Sequence, residues 1–164
     1  MIFDLSTVLN NDGASLDISG IISPEEDVCG ADVAFEEGIK VSGKIVCRGN
    51  VLDLTASVAG EFQVACARCL KSLSQNVSFD FCETLAQEGT EEIDVDSVIV
   101  FSGNTIDLTE IVVSNILLNL SYKYLCSDDC RGICPKCGAD LNQGDCGCTD
   151  DEIDPRWEKL KNFK

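Results

Sequence analysis

An α+β fold, with an antiparallel β-rich domain holding one buried helix and a small cysteine-rich module behind it, is predicted by three features of this 164-residue chain. Glycine-punctuated β alternation runs from 32 to 81, one long apolar segment carries a helix-start signal, and six of the eleven cysteines crowd into residues 126–148. A chain that is 45% hydrophobic and 25% charged belongs with globular proteins, where one domain plus a small appendage suits this length.

Taken in order, Ile2-Phe3-Asp4-Leu5 and Leu16-Asp17-Ile18 read as short strands around an Asn10-Asn11-Asp12-Gly13 turn. Runs at 39–47, 51–58 and 62–66 are alternating or β-branched, and Gly38, Gly43, Gly49 and Gly60 punctuate them. The Arg48-Gly49-Asn50 turn should join two long antiparallel strands. Val77, Phe79 and Phe81 alternate as the buried face of another strand. Glu88, Glu91, Glu92, Asp94 and Asp96 form an acidic run without a base, the composition of a solvated loop. Residues 98–101 and 105–106 flank Gly103-Asn104 and predict a further hairpin.

The helix is expected near 108–122. Asp107 is placed to cap it and Glu110 to complete a capping box. Ile111, Val112, Ile116 and Leu120 share one stripe with Val113 and Leu117 beside it, so most of the circumference is apolar and the helix should be buried against the sheet or a partner. Asp154-Pro155 marks the start of a short terminal helix. The resulting division is a β-rich domain at 1–125, a cysteine-rich module at 126–150 and a terminal helix at 151–164.

Charge and composition then exclude several functions. Twelve Lys and Arg face 29 Asp and Glu, for a net charge of −17, which rules out a generalised basic surface for DNA or RNA. No apolar run reaches the roughly 18 residues of a membrane span. Met1-Ile2-Phe3-Asp4 lacks the basic start and apolar core of an export signal, so a cytoplasmic, reducing location is expected. An odd cysteine count also fits poorly with a closed disulfide framework. With no histidine, Ser-His and Cys-His catalysis are excluded, and any zinc must be held by sulfur, with or without carboxylate help.

Cys134-Pro135-Lys136-Cys137-Gly138 has the form of a zinc knuckle, two thiolates reaching one tetrahedral ion above a glycine that lets the chain turn back. Four ligands are needed and six are offered: Cys134 and Cys137, joined by Cys146 with Cys148, by Cys126 with Cys130, or by one from each flank. The segment has little beyond Ile133 and Leu141 to form a core, so one structural Zn²⁺ is the expected source of its order, and the predicted fold acquires a zinc-knuckle module. Such a site would take the net charge from −17 to −19.

Cys66-Ala67-Arg68-Cys69-Leu70 ends an expected strand. Two thiols are too few for a closed zinc site without help from Cys29, Cys47, Cys82 or a second chain. A redox dithiol activated by Arg68 would normally open a helix, whereas a turn and a strand follow here, so a structural role is favoured. Cys29, Cys47 and Cys82 read as small buried apolar residues.

The order of these motifs is characteristic. The Cys66-Ala67-Arg68-Cys69-Leu70 element precedes the acidic Glu91-Glu92-Ile93-Asp94 and the helix start Ile106-Asp107-Leu108. Cys130-Arg131-Gly132-Ile133-Cys134-Pro135-Lys136-Cys137-Gly138, Leu141-Asn142 and Asp154-Pro155-Arg156-Trp157 follow. From about residue 33 to 160 the chain resembles the YceD family, the large ribosomal RNA subunit accumulation proteins. The resemblance implies a cytoplasmic, non-enzymatic ribosome biogenesis factor needed for accumulation of 23S rRNA, with no catalytic residues to assign and a structural rather than catalytic metal. Two mechanisms follow. In the favoured one, the acidic surface holds a basic ribosomal protein or a pre-50S particle. In the alternative, a zinc protein contacts 23S rRNA directly through Arg131, Lys136 and the basic end formed by Arg156, Lys159, Lys161 and Lys164. A thiol oxidoreductase ranks third.

Overall fold

The computed structural model describes residues 1–23, 33–90 and 98–148. Five strands run β2 (Ser15–Ile22), β4 (Ile39–Arg48), β5 (Val51–Ala65), β6 (Ser72–Gln87) and β7 (Ile99–Phe101) across the main sheet, with β3 (Val33–Ala34) also paired to β5. A separate two-stranded ribbon joins β1 (Ile2–Asp4) to β8 (Thr105–Asp107), and α1 (Thr109–Asn119) follows directly. The fold is therefore α+β and mostly antiparallel, with one α-helix among the described residues.

The β4–β5 hairpin turns at Gly49-Asn50, where Arg48 pairs with Val51 and Gly49 has φ +63°, as a two-residue hairpin loop with glycine first requires. Because β5 outlasts β4, its partner changes along its length: β4 pairs as far as Gly60, and β3 takes Gln63 and Val64 beyond it. Strands β5 and β6 stay paired from Val51↔Ala86 to Ala65↔Ser72, so the tip of this long hairpin, residues 66–71, is carried to the far end of the sheet.

Alternation sends one set of side chains to a single face. Ile39, Val41, Ile45 and Cys47 of β4, Leu52, Leu54, Ala56 and Val58 of β5, and Phe81 and Leu85 of β6 are buried there with Leu5, Val8, Ile111, Val112 and Ile116. The opposite face keeps Lys40, Lys44, Thr55, Ser57, Ser78 and Asp80 in solvent, the one-sided burial usual for an antiparallel sheet. A second, smaller cluster of Phe62, Val64 and Val77 lies toward the 66–71 tip, joined by Leu120 and Tyr124. The rings of Phe62 and Tyr124 meet edge to face at 5.6 Å.

Several details depart from the sequence expectation. Residues 98–106 do not form a hairpin: β7 runs parallel to β6, and β8 pairs with β1. Each strand has only three residues; β7 extends the β6 edge of the main sheet, whereas β8 pairs with the equally short β1 in the separate ribbon. The helix stops at Asn119 rather than near 122, because Leu120 turns to extended backbone and joins the second cluster with Tyr124. Asp107 ends β8 rather than serving as the helix N-cap residue, a position taken by Leu108. Its carboxylate still accepts the Thr109 N–H at 2.9 Å and meets the Met1 ammonium at 2.8 Å; the ammonium and Thr109 bonds hold its pKa far below the usual carboxylate range. Ile111, Val112, Val113 and Ile116 are buried as expected, whereas Leu117 is exposed. Cys47 is buried, but Cys82 is exposed: it follows Phe81 on β6, and alternation turns it outward beside Thr55. Cys29, the acids 91–96 and the terminal helix at 151–164 lie outside the described residues.

Gly43 marks a close backbone approach in the sheet, where it pairs with Ala56, itself paired with Phe81. A Cβ at Gly43 would collide with the Thr55 carbonyl oxygen and lie 2.7 Å from Ala56 Cα, both backbone atoms with little freedom to yield. Gly43→Ala should therefore destabilise the domain by about 1–3 kcal/mol, read as a lower urea midpoint at an unchanged slope.

Candidate metal centres

The cysteines form two quartets. Cys66, Cys69, Cys126 and Cys130 make one; Cys134, Cys137, Cys146 and Cys148 make the other; within each, the four sulfurs all lie within 4.8 Å of one another. Four thiolates about 2.3 Å from a tetrahedral ion stand about 3.8 Å apart. In the first quartet Cys66 and Cys130 are separated by 3.9 Å, and Cys69 and Cys126 by 3.6 Å, which fits an ion between them and is far longer than a disulfide. Both donor sets can hold a metal ion.

Backbone geometry makes the resemblance between the quartets stronger than proximity alone. At the tip of the β5–β6 hairpin, Cys66 N–H donates to Lys71 O at 2.8 Å and Leu70 N–H to Cys66 O at 2.9 Å. In the second segment, Cys134 N–H donates to Ala139 O and Gly138 N–H to Cys134 O, both at 2.8 Å. The flanking pairs correspond as well: Ala65 pairs with Ser72, and Ile133 with Asp140. The residue after each second cysteine is left-handed, Leu70 at φ +61° and Gly138 at φ +75°. Two copies of one knuckle are thus built at two hairpin tips. Leu70 occupies a conformation that usually costs a branched residue about 1–2 kcal/mol, which the surrounding bonds hold in place.

Each knuckle aims backbone N–H groups at its first sulfur. The N–H groups of Cys69 and Arg68 bring the Cys66 thiol down to about 6, and those of Cys137 and Lys136 do the same for Cys134, also to about 6. The last thiols to ionise are driven the other way. Cys126 is pushed up to about 12 by Cys130 and then Cys69, and Cys148 to about 12 by Cys137 and then Cys146. Four sulfurs this close repel one another as thiolates, and a dication relieves that repulsion.

The segment carrying the second quartet is fastened around the first knuckle. Ala67 N–H donates to Tyr124 O at 2.9 Å, and Arg68 Nη1 donates to Cys130 O at 2.7 Å and Asp128 O at 3.3 Å. Cys126 N–H points at Cys66 Sγ at 3.4 Å. Gly132, at φ +77°, is buried so closely that a Cβ would stand 3.0 Å from the Arg68 carbonyl oxygen. Gly132→Ala should strain the backbone and push the segment off the knuckle together, so about tenfold faster limited proteolysis of the stretch between α1 and Cys130 is expected.

The six cysteines of 126–148 are therefore placed differently from one another. Cys134, Cys137, Cys146 and Cys148 come together, one of the combinations the spacing allowed, while Cys126 and Cys130 join Cys66 and Cys69. The Cys66 pair finds its extra ligands neither in Cys47, buried elsewhere in the core, nor in Cys82, beside Thr55. Sequence spacing could not reveal this partnership, since 57 residues separate Cys69 from Cys126 and 64 separate Cys66 from Cys130. The available signal was that both Cys-x-x-Cys elements sit where a hairpin must turn.

Residues 54–164 match the family described as Large ribosomal RNA subunit accumulation protein YceD. The chain belongs to the YceD family. An uncharacterized protein of Mycobacterium tuberculosis is 34% identical over 113 residues, covering 65% of this chain and 53% of that protein. A protein of Arabidopsis thaliana named Large ribosomal RNA subunit accumulation protein YCED homolog 1, chloroplastic, is 24% identical over 155 residues, covering 77% of this chain and 48% of the relative. An uncharacterized Bacillus subtilis protein is 24% identical over 134 residues, with 81% and 78% covered. The chain spans about half the length of the first two of these relatives. No solved structure matches it. The YceD match covers the Cys66 knuckle, the helix and both cysteine quartets, so the elements that assemble the candidate centres lie within the shared region.

Proposed function

We propose that this YceD protein is a non-enzymatic, cytoplasmic ribosome biogenesis factor that supports accumulation of 23S rRNA and large-subunit assembly, and that it does so through an acidic surface that engages a basic ribosomal protein or a pre-50S particle. The family description supports the process, and the charge supports the mode of action. Among the described residues no acid is buried, within a chain of net charge −17. Such a field accelerates encounter with a basic partner and discourages nonspecific contact with phosphate. Arg131 is paired with Asp145 at 2.5 Å, which offsets positive charge that the RNA-binding alternative needs on the cysteine-rich segment.

In this reading Cys134, Cys137, Cys146 and Cys148 hold a structural Zn²⁺. The all-sulfur donor set suits zinc, and with four protein ligands the ion has no open position for substrate. Zinc would supply order here, replacing a core that the segment lacks: Ile133 is exposed and Leu141 only half-buried. The chain's residues contribute the thiolates and the backbone N–H groups that stabilise them.

Affinity capture of the tagged chain at moderate salt, with and without RNase, tests the proposal. An RNase-resistant basic ribosomal protein is expected in the eluate. Loss of every large-subunit component after RNase would overturn the protein-partner mechanism in favour of direct rRNA contact. Disulfide chemistry has its own test. Insulin reduction should stay at background and be unchanged by Cys66→Ser, because Cys66 and Cys69 sit in a four-sulfur cluster at a hairpin tip rather than at a helix N-terminus.

A further inference from the structure

Beyond the zinc knuckle, we infer that Cys66, Cys69, Cys126 and Cys130 form a second, independent Zn²⁺ site that clamps the cysteine-rich segment to the end of the β5–β6 hairpin. Its ligands come from two regions that meet only through the fold: one pair from the hairpin tip and one from the stretch after α1. The sulfur separations of 3.6 and 3.9 Å are those of a tetrahedral tetrathiolate. Cys66 and Cys130 are buried, while Cys69 is half-buried and Cys126 exposed, so the ion would be sheltered on one side with an entry path on the other. Supporting contacts surround the sulfurs as they do in closed metal sites: Cys126 N–H reaches Cys66 Sγ, and Asn142 Nδ2 reaches Cys130 Sγ at 3.5 Å. The hydrogen-bond pattern shared with the Cys134 knuckle shows a turn shaped for the same purpose.

The two sites would do different work. The Cys134 site is local, with all its ligands within residues 134–148, and orders that segment internally. The Cys66 site closes a loop of about 57–64 residues and determines where the segment sits. No residue beyond Tyr124 joins either apolar cluster among the described residues, so docking rests on the metal and on the polar bonds from Ala67 and Arg68.

Elemental analysis of the full chain, purified without chelator, should find two zinc ions per molecule. Cys69→Ser with Cys126→Ser should lower this to one and make the connection between α1 and Cys130 at least tenfold more sensitive to limited proteolysis. Cys137→Ser with Cys148→Ser should also leave one ion while preserving protection of that connection. A Cys69/Cys126 variant that keeps the wild-type zinc content overturns this site; a Cys137/Cys148 variant that does so overturns the knuckle instead. Should either variant misfold, Co²⁺ titration of the metal-free wild-type chain decides: sulfur-to-cobalt absorption rising to two equivalents supports the pair, and saturation at one overturns it. Iron, bound by these four cysteines as a coloured centre in the isolated protein, would overturn the zinc assignment.

Discussion

Cys137→Ser should release the order of residues 131–148 and leave the β-rich domain folded. Structural zinc contributes on the order of 10–16 kcal/mol in small peptide sites at pH 7, comparable to the whole stability of a typical domain. Residues 131–148 have no apolar source of comparable size, because their one buried non-cysteine residue is Gly132. The sheet domain depends on something else, since its main cluster joins β2, β4, β5, β6 and α1 without any residue of the segment. Amide exchange should therefore show protection lost across 131–148, with β4, β5 and β6 protected as before. Acid should imitate the substitution, because protons compete with metal for thiolates as pH falls. Global unfolding on loss of this one ion would show that sheet and segment form a single cooperative unit.

Association with a basic ribosomal partner should slow about tenfold or more between roughly 50 and 200 mM salt, as the Debye length contracts from about 14 to 7 Å. Dissociation should change much less, since short-range contacts are less screened than the long-range approach. Each tetrathiolate zinc adds two negative charges, so the field seen by the partner is that of −19 with one site filled and −21 with both, against −17 for the free thiols. Replacing Glu88, Glu91, Glu92 and Asp94 by Gln or Asn takes the free-thiol charge to −13 and should lower the association rate, while direct binding to RNA would be unchanged or improved. Stopped-flow measurements with the protein and RNA ligands in parallel read both responses. Tighter RNA binding with undiminished protein binding would contradict the acidic-surface mechanism.

Local signals in the sequence proved dependable where the physics is local. Gly49-Asn50 marked a hairpin because a two-residue loop needs a left-handed first residue, and the alternation of Val77, Phe79 and Phe81 marked one face because side chains in a strand repeat every second position. The apolar stripe of α1 likewise identified Ile111, Val112 and Ile116 as buried. Partnerships distant in sequence were not legible. Three-residue β7 and β8 looked like a hairpin because Gly103-Asn104 lies between them, yet each found a better edge elsewhere. Cys126 and Cys130 looked like neighbours of Cys134 because spacing is the only distance a sequence displays, whereas the long β5–β6 hairpin presents Cys66 and Cys69 to them instead. Leu70 concealed the equivalence of the two knuckles, since a leucine gives no warning that its backbone is left-handed.

The large-subunit role itself is most directly tested by the ratio of 23S to 16S rRNA in cells lacking the gene, with and without the wild-type chain restored. A selective fall in 23S rRNA that the restored chain reverses is the predicted result; an unchanged ratio in the deletion would contradict the account.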